Sequence, residues 1–88
     1  MTATILIIDD DRELCALLAE FLQLEGFAVS AVHDGAAAVA HCRDHAYDAV
    51  VLDIMLPGLQ GLEVLRKLRT FTATPILMLT ARGEDTDR

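Results

Sequence analysis

A continuous apolar run, Thr4-Ile5-Leu6-Ile7-Ile8, passes without a break into Asp9-Asp10-Asp11, and a second, Ala49-Val50-Val51-Leu52, passes into Asp53. Short runs with no polar alternation belong to strands covered on both faces, as in a parallel sheet. Carboxylates that end two such strands gather at one edge of the sheet, the edge where open α/β sheets bind ligands. Two like charges about 4 Å apart at an effective dielectric near 20 cost roughly 4 kcal/mol. Such a cluster needs a cation, and donors that are all oxygen select a hard ion, Mg²⁺. Asp9, Asp10 and Asp53 are therefore the candidate metal ligands.

The rest of the chain alternates strand and helix. Apolar patterning predicts strands at 4–9, 27–32, 49–53 and 76–80, the second weaker and interrupted by Ser30. Helical periodicity runs over 11–25 and stops at Gly26, a suitable residue to follow a helix end. An alanine-rich helix follows at 34–44 and a short one at 61–69, after the turn signal Leu56-Pro57-Gly58. Ala81-Arg82-Gly83 leads toward another helix. This order implies right-handed crossovers and a parallel sheet. In the first helix Leu14, Leu17, Leu18, Phe21, Leu22 and Leu24 spread over roughly 160°, at about 100° per residue, which is wider than contact with one sheet requires. A neighbouring helix should cover the remainder. The strand at 76–80 also reads as covered on both faces, so the sequence has the look of a fragment.

Composition sets outer limits. The 88 residues allow one domain, and a chain of this size buries only about 60–65% of its unfolded surface, so its stability margin is thin. A content of 53% hydrophobic residues supports a packed core. A net charge of −7 excludes a direct nucleic-acid role, which requires a basic patch. Arg66, Lys67 and Arg69 on one short helix read as a solvated face. Cys15 and Cys42 fall in helical patterns without metal-like spacing, as reduced thiols of a cytoplasmic protein do. No run is long enough for a membrane span, and the start lacks the basic region and cleavage site of a signal peptide.

The chemistry concentrates at the strand ends. Asp53, held beside a metal and followed by Ile54-Met55-Leu56-Pro57, is placed as a nucleophile toward phosphorus, with an acyl phosphate as product. Such transfer needs mainly positioning and charge neutralisation. Asp10 could instead cap the first helix with Glu13 at the third helical position, an aspartate form of the capping box. One cap leaves two further acids to explain. Thr80 ends the last apolar run, and its hydroxyl either donates to a phosphoryl oxygen or is simply a residue that favours strands. His41 and His45 lie one helical turn apart with Cys42 between. Without a third ligand, a solvated helix face is the better reading.

Taken together, Asp9-Asp10 after the first strand, Asp53 after the third and Thr80-Ala81 after the fourth resemble the receiver domain of two-component response regulators. The segment 53–61 is similar to that family's acceptor loop. Pro75-Ile76-Leu77-Met78-Leu79-Thr80-Ala81-Arg82 resembles its OmpR/PhoB subfamily; Asp9-Asp10-Asp11-Arg12-Glu13-Leu14, with Glu25-Gly26-Phe27 and His33-Asp34-Gly35, resembles the envelope-stress regulators within it, and the similarity covers essentially the whole chain. The resemblance implies a CheY-like, flavodoxin-like doubly wound parallel sheet of order 2-1-3-4, with the fifth strand and fifth helix missing. It implies Asp53 as the phosphoacceptor, loaded from a sensor histidine kinase. Asp10 and Asp53 would bind Mg²⁺ directly, with the Met55 backbone carbonyl as a third ligand and Asp9 acting through water. Thr80 would be the switch hydroxyl that closes on the phosphoryl group. The chain would be a regulatory phosphoacceptor rather than a turnover enzyme.

The family's lysine after its fifth strand has no counterpart here, for the single lysine, Lys67, lies on the third helix. The implied unit is a receiver at 1–88, incomplete at its C-terminus, without the DNA-binding effector domain through which such proteins reach DNA. A fourth strand left at the sheet edge, beside an uncovered leucine stripe, leads us to expect self-association. The enzyme alternative is a haloacid-dehalogenase-type phosphotransferase built on Asp9 and Asp11. That motif places Thr or Val two residues after its second acid, where Glu13 stands. A further alternative is a receiver-like interaction module that takes no phosphate.

Overall fold

The computed structural model describes residues 2–54 and 61–79. Their elements alternate as expected: β1 (Thr4–Ile8), α1 (Arg12–Leu24), β2 (Ala28–Val32), α2 (Gly35–Asp44), β3 (Ala49–Asp53), α3 (Gly61–Arg69) and β4 (Ile76–Leu79). The strands form one parallel sheet of order β2-β1-β3-β4. That is the order 2-1-3-4 of the flavodoxin-like expectation. The turn at 56–58, Thr80 and the start of a helix near 81–83 lie outside the described residues.

Register assigns the two faces. Leu6 pairs with Ser30 and Val50, Ile8 with Val32 and Leu52, and Leu52 with Met78. Apart from the exposed Ser30, these residues face α2 and α3, where Ala38, Val39, Val64 and Leu68 complete the larger core. On the other face Ile5, Ile7 and Cys15 form a smaller core, flanked by Leu18, Ala19 and Leu22 of α1 and by Val29 and Val51. Both faces of β1 are thus covered, which is why Ile5–Ile8 contains no polar residue. β2 is one edge of the described sheet, exposed at Ala28, Ser30 and Ala31, and this accounts for its weaker pattern.

The helix ends follow local chemistry. Asp11, not Asp10, caps α1, accepting from the Leu14 amide at 3.0 Å. The reason lies one turn earlier: Asp9 Oδ1 accepts the Asp11 amide at 2.9 Å, and this tight turn carries the helix start past Asp10. α1 ends at Gly26, whose φ of 98° lies in the left-handed region. There the Gly26 amide donates to Gln23 and the Phe27 amide to Leu22, the paired bonds of a Schellman ending. Asp34 caps α2 through the Ala37 amide at 2.8 Å.

Half of the leucine stripe on α1 stays in solvent. Leu17 is 65% exposed, Phe21 60% and Leu24 81%, and on the sheet Leu77 of β4 is 63% exposed. Among the described residues no helix covers this flank. The basic residues of α3 are exposed, but Arg69 does more than solvate a face: its guanidinium donates to the Thr74 carbonyl at 2.7 Å and closes the loop into β4.

Candidate metal and phosphoryl site

Asp9 follows β1 and Asp53 ends β3, and these strands are neighbours in the sheet. Their parallel pairing, Ile8 opposite Leu52, brings both acids to the same edge. Asp10, one residue further on, is exposed. One carboxylate oxygen from each of Asp9, Asp10 and Asp53 lies within 4.8 Å of the others. This is the one group of three metal-capable side chains among the described residues. Asp9 and Asp53 are almost fully buried, 3% and 2% exposed, while Asp10 opens the site to solvent.

Burial pushes the Asp9 carboxyl above its ordinary range. The hydrogen bond from the Asp11 amide pulls it back, and the charges of Asp53, Asp10 and Asp11 raise it further. Carboxylates held together under desolvation favour a bound cation when they are charged. An all-oxygen donor set with one solvent-facing member fits a hard ion that retains several waters, so the residues suit Mg²⁺.

The backbone behind Asp53 is held closely. The Ile54 amide donates to the Leu79 carbonyl at 3.0 Å and the Gly61 amide to the Ile54 carbonyl at 2.9 Å, so the first residue of α3 lies against the end of β3. A Cβ on Gly61 would lie 2.5 Å from Ile54 Cα and 2.6 Å from the Asp53 carbonyl oxygen. Only glycine permits that approach. The sequence offered Gly61 as a helix start, and nothing in local spacing reveals a contact of this kind.

Other expectations divide. Met55 and Thr80 lie outside the described residues. His41 and His45 stack with ring centroids 5.3 Å apart, and His41 Nδ1 lies 3.1 Å from the Tyr47 hydroxyl. These rings pack on one another, and no third ligand joins them among the described residues. A cavity of about 310 Å³ opens beside Cys42, Tyr47 and Thr74, near the amino-terminal ends of β3 and β4, and its lining includes none of the three clustered acids. Both cysteines are free thiols. The phosphotransferase alternative loses its second acid, because the Asp11 side chain caps α1 and stands outside the cluster.

Around Asp9 the structure adds two residues with no assigned part in the sequence reading. His33 Nδ1 lies 3.0 Å from the Asp9 carbonyl oxygen, and Cys15 Sγ lies 3.5 Å from the same atom. Their separation from Asp9 along the chain hides both contacts from any local motif.

A parallel flavodoxin-like sheet with convergent carboxylates beyond its two central strands defines the receiver class of α/β signalling domains. The response regulator receiver domain model matches residues 5–88, and the chain belongs to that family. It is 49% identical over 84 residues to the transcriptional regulatory protein CpxR of Klebsiella pneumoniae, covering 96% of this chain and 36% of CpxR. The chain thus spans little more than a third of that relative's length. Among solved structures, the response regulator TrrA of Thermotoga maritima in complex with Mg²⁺-BeF superposes with a TM-score of 0.86 at 37% identity, covering 91% of this chain and 70% of TrrA. A complex of the histidine kinase ThkA with TrrA matches with a TM-score of 0.86 at 34% identity, covering 99% of this chain and 76% of that one. Among the described residues no helix is long and apolar enough to cross a membrane.

Proposed function

We propose that this receiver accepts a phosphoryl group on Asp53 from a phosphohistidine of a sensor histidine kinase, with Mg²⁺ held by Asp9, Asp10 and Asp53. The observation that carries the reading is the convergence of three carboxylate oxygens within 4.8 Å at the carboxyl ends of β1 and β3. Two solved structures of one relative support it by what they contain: TrrA in complex with Mg²⁺-BeF, and TrrA in complex with a histidine kinase. The Met55 carbonyl as a further ligand and Thr80 as the switch hydroxyl belong to the same proposal and rest on the family resemblance.

In the transfer, an Asp53 carboxylate oxygen attacks phosphorus in line with the departing imidazole nitrogen. A P–O bond forms, the P–N bond breaks, and its electron pair returns to the histidine ring. Asp53 is held for this by its place in β3 and by the Ile54–Leu79 bond just after it. Asp9 and Asp10 supply the other two carboxylates of the site. Mg²⁺, when bound, neutralises the charge that gathers on the phosphoryl oxygens. The product changes the charge at Asp53 and thereby the surface that reports the signal.

Control of transcription belongs, in this proposal, to a longer cytoplasmic regulator whose separate effector domain binds DNA, with residues 1–88 as its receiver unit. Self-association is proposed for the 88-residue chain through the exposed flank of Leu17, Phe21, Leu24 and Leu77.

Titration with Mg²⁺ and beryllofluoride, a phosphoryl mimic, tests the function. Bound fluorine signals that require Mg²⁺, and that vanish in Asp53→Asn, are expected. Absence of any bound signal in the wild type would favour a module that works without phosphate.

A further inference from the structure

The Asp9–Asp10 peptide is where the site is most open to error. Asp53 is set by a strand in the middle of the sheet, but Asp10 lies beyond β1 and before α1, exposed and outside any regular element. The plane of the peptide that joins it to Asp9 therefore decides where its carboxylate stands relative to Asp53. The carbonyl of that peptide is the Asp9 carbonyl, and His33 reaches it from the end of β2 at 3.0 Å.

We propose that His33 is a positioning residue of the acidic site, clamping the Asp9–Asp10 peptide through an imidazole that carries a proton on Nδ1. A carbonyl oxygen can only accept, so a hydrogen bond at that distance requires the donor to be Nδ1–H. The buried Cys15 thiol lies 3.5 Å from the same oxygen and 3.8 Å from His33 Nδ1. Sγ–H and Nδ1–H together occupy the carbonyl from two directions. Two further polar atoms of Asp9 are engaged: its amide donates to the Val32 carbonyl at 3.1 Å, and its Oδ1 accepts from the Asp11 amide at 2.9 Å. Strand β2, helix α1 and the helix cap thus converge on one residue, and His33 is the member that ties it to the sheet edge.

The inference rests on the Mg²⁺ reading of the site for its consequence, but not for its geometry. Hydrogen-bond partners behind a metal site are typically worth about 10–100-fold in metal affinity. His33→Leu is expected to weaken Mg²⁺ binding about tenfold and to move the Asp10 amide resonance in the metal-free protein. His33→Asn places an amide N–H where Nδ1–H stood and is expected to restore both. His33→Gln, whose donor falls nearer the Nε2 position, is expected to restore neither. Imidazole nitrogen NMR of the wild type is expected to show the Nδ1–H tautomer.

Amide spectra and thermal unfolding confirm that each variant is folded before comparison. An Nε2–H tautomer, or His33→Leu with unchanged Mg²⁺ affinity and an unmoved Asp10 amide, would overturn the positioning role. Equal loss in His33→Asn and His33→Leu would overturn it as well, since rescue by the matching donor separates positioning from general packing. If the wild type binds no Mg²⁺, the metal reading fails, and the tautomer and the Asp10 resonance still decide the clamp.

Discussion

Asp53 and Asp11 are both aspartates next to the same pocket, yet they do different work. Asp53 is buried in the cluster, whereas Asp11 is exposed and spends its side chain on the Leu14 amide. Asp53→Ala is expected to abolish phosphoryl uptake from a small acyl-phosphate donor in the protein that carries this receiver. Asp11→Ala should keep most of it and lose about 1 kcal/mol of stability with the cap. Intact-mass measurement reads the first effect and thermal unfolding the second; equal losses of uptake would mean that the nucleophile is another residue. Asp9 adds a pH signature. Its folded-state carboxyl titrates above the unfolded one, chiefly through burial. The folded state therefore holds the extra proton, and its stabilising effect is complete below the unfolded value and lost as pH rises through the folded one. Asp9→Asn should remove that loss, so that, without metal, the variant gains stability over wild type as pH rises from below the carboxylate range toward neutrality. A constant difference across that range would contradict the burial argument. The acids were legible in sequence because each ends an apolar run. The cap was not, since three consecutive aspartates compete for it and only the turn closed by Asp9 selects Asp11. His33 was not legible at all, because its partner is 24 residues away.

Each helix and strand here was visible to within a residue or two, and for a physical reason: periodicity, caps and enders agree. Gly26 acts at the position its chemistry indicated, and Ile5–Ile8 of β1 and Ala49–Leu52 of β3 are apolar because both strands lie inside the sheet. What stayed hidden is contact between elements. Gly61 opens α3 by lying on the backbone of Asp53 and Ile54, at distances no side chain allows. Gly61→Ala is expected to displace the end of β3 and cost about 1–3 kcal/mol, as overpacking generally does. In a domain of this size that lowers the melting temperature by roughly 4–8 °C per kcal/mol. The same change at Gly26 meets no neighbouring atom but forces a side chain into a left-handed conformation, so its cost is backbone strain alone. Mg²⁺ affinity distinguishes the two: it should fall in Gly61→Ala and hold in Gly26→Ala.

Among the described residues one sheet face is well covered and the other is covered in part. α2 and α3 close the first, while on the second α1 packs Cys15, Leu18 and Leu22 against Ile5 and Ile7 and turns Leu17, Phe21 and Leu24 to solvent. The width of the leucine stripe announced this in the sequence, because it exceeds what one sheet contact buries. Large apolar patches rarely stay exposed. Size exclusion with light scattering is expected to show the 88-residue chain associating as concentration rises, and Phe21→Lys should shift it toward monomer. A monodisperse monomer at all concentrations would rule out the proposed pairing. The central claim is that three carboxylates at the sheet edge form one cation site, and an amide NMR titration with Mg²⁺ tests it most directly. Weak binding is expected, with shifts centred on Asp9, Asp10 and Asp53 and lost in Asp10→Asn. Shifts confined to the His41–His45 region, or none at millimolar Mg²⁺, would contradict it.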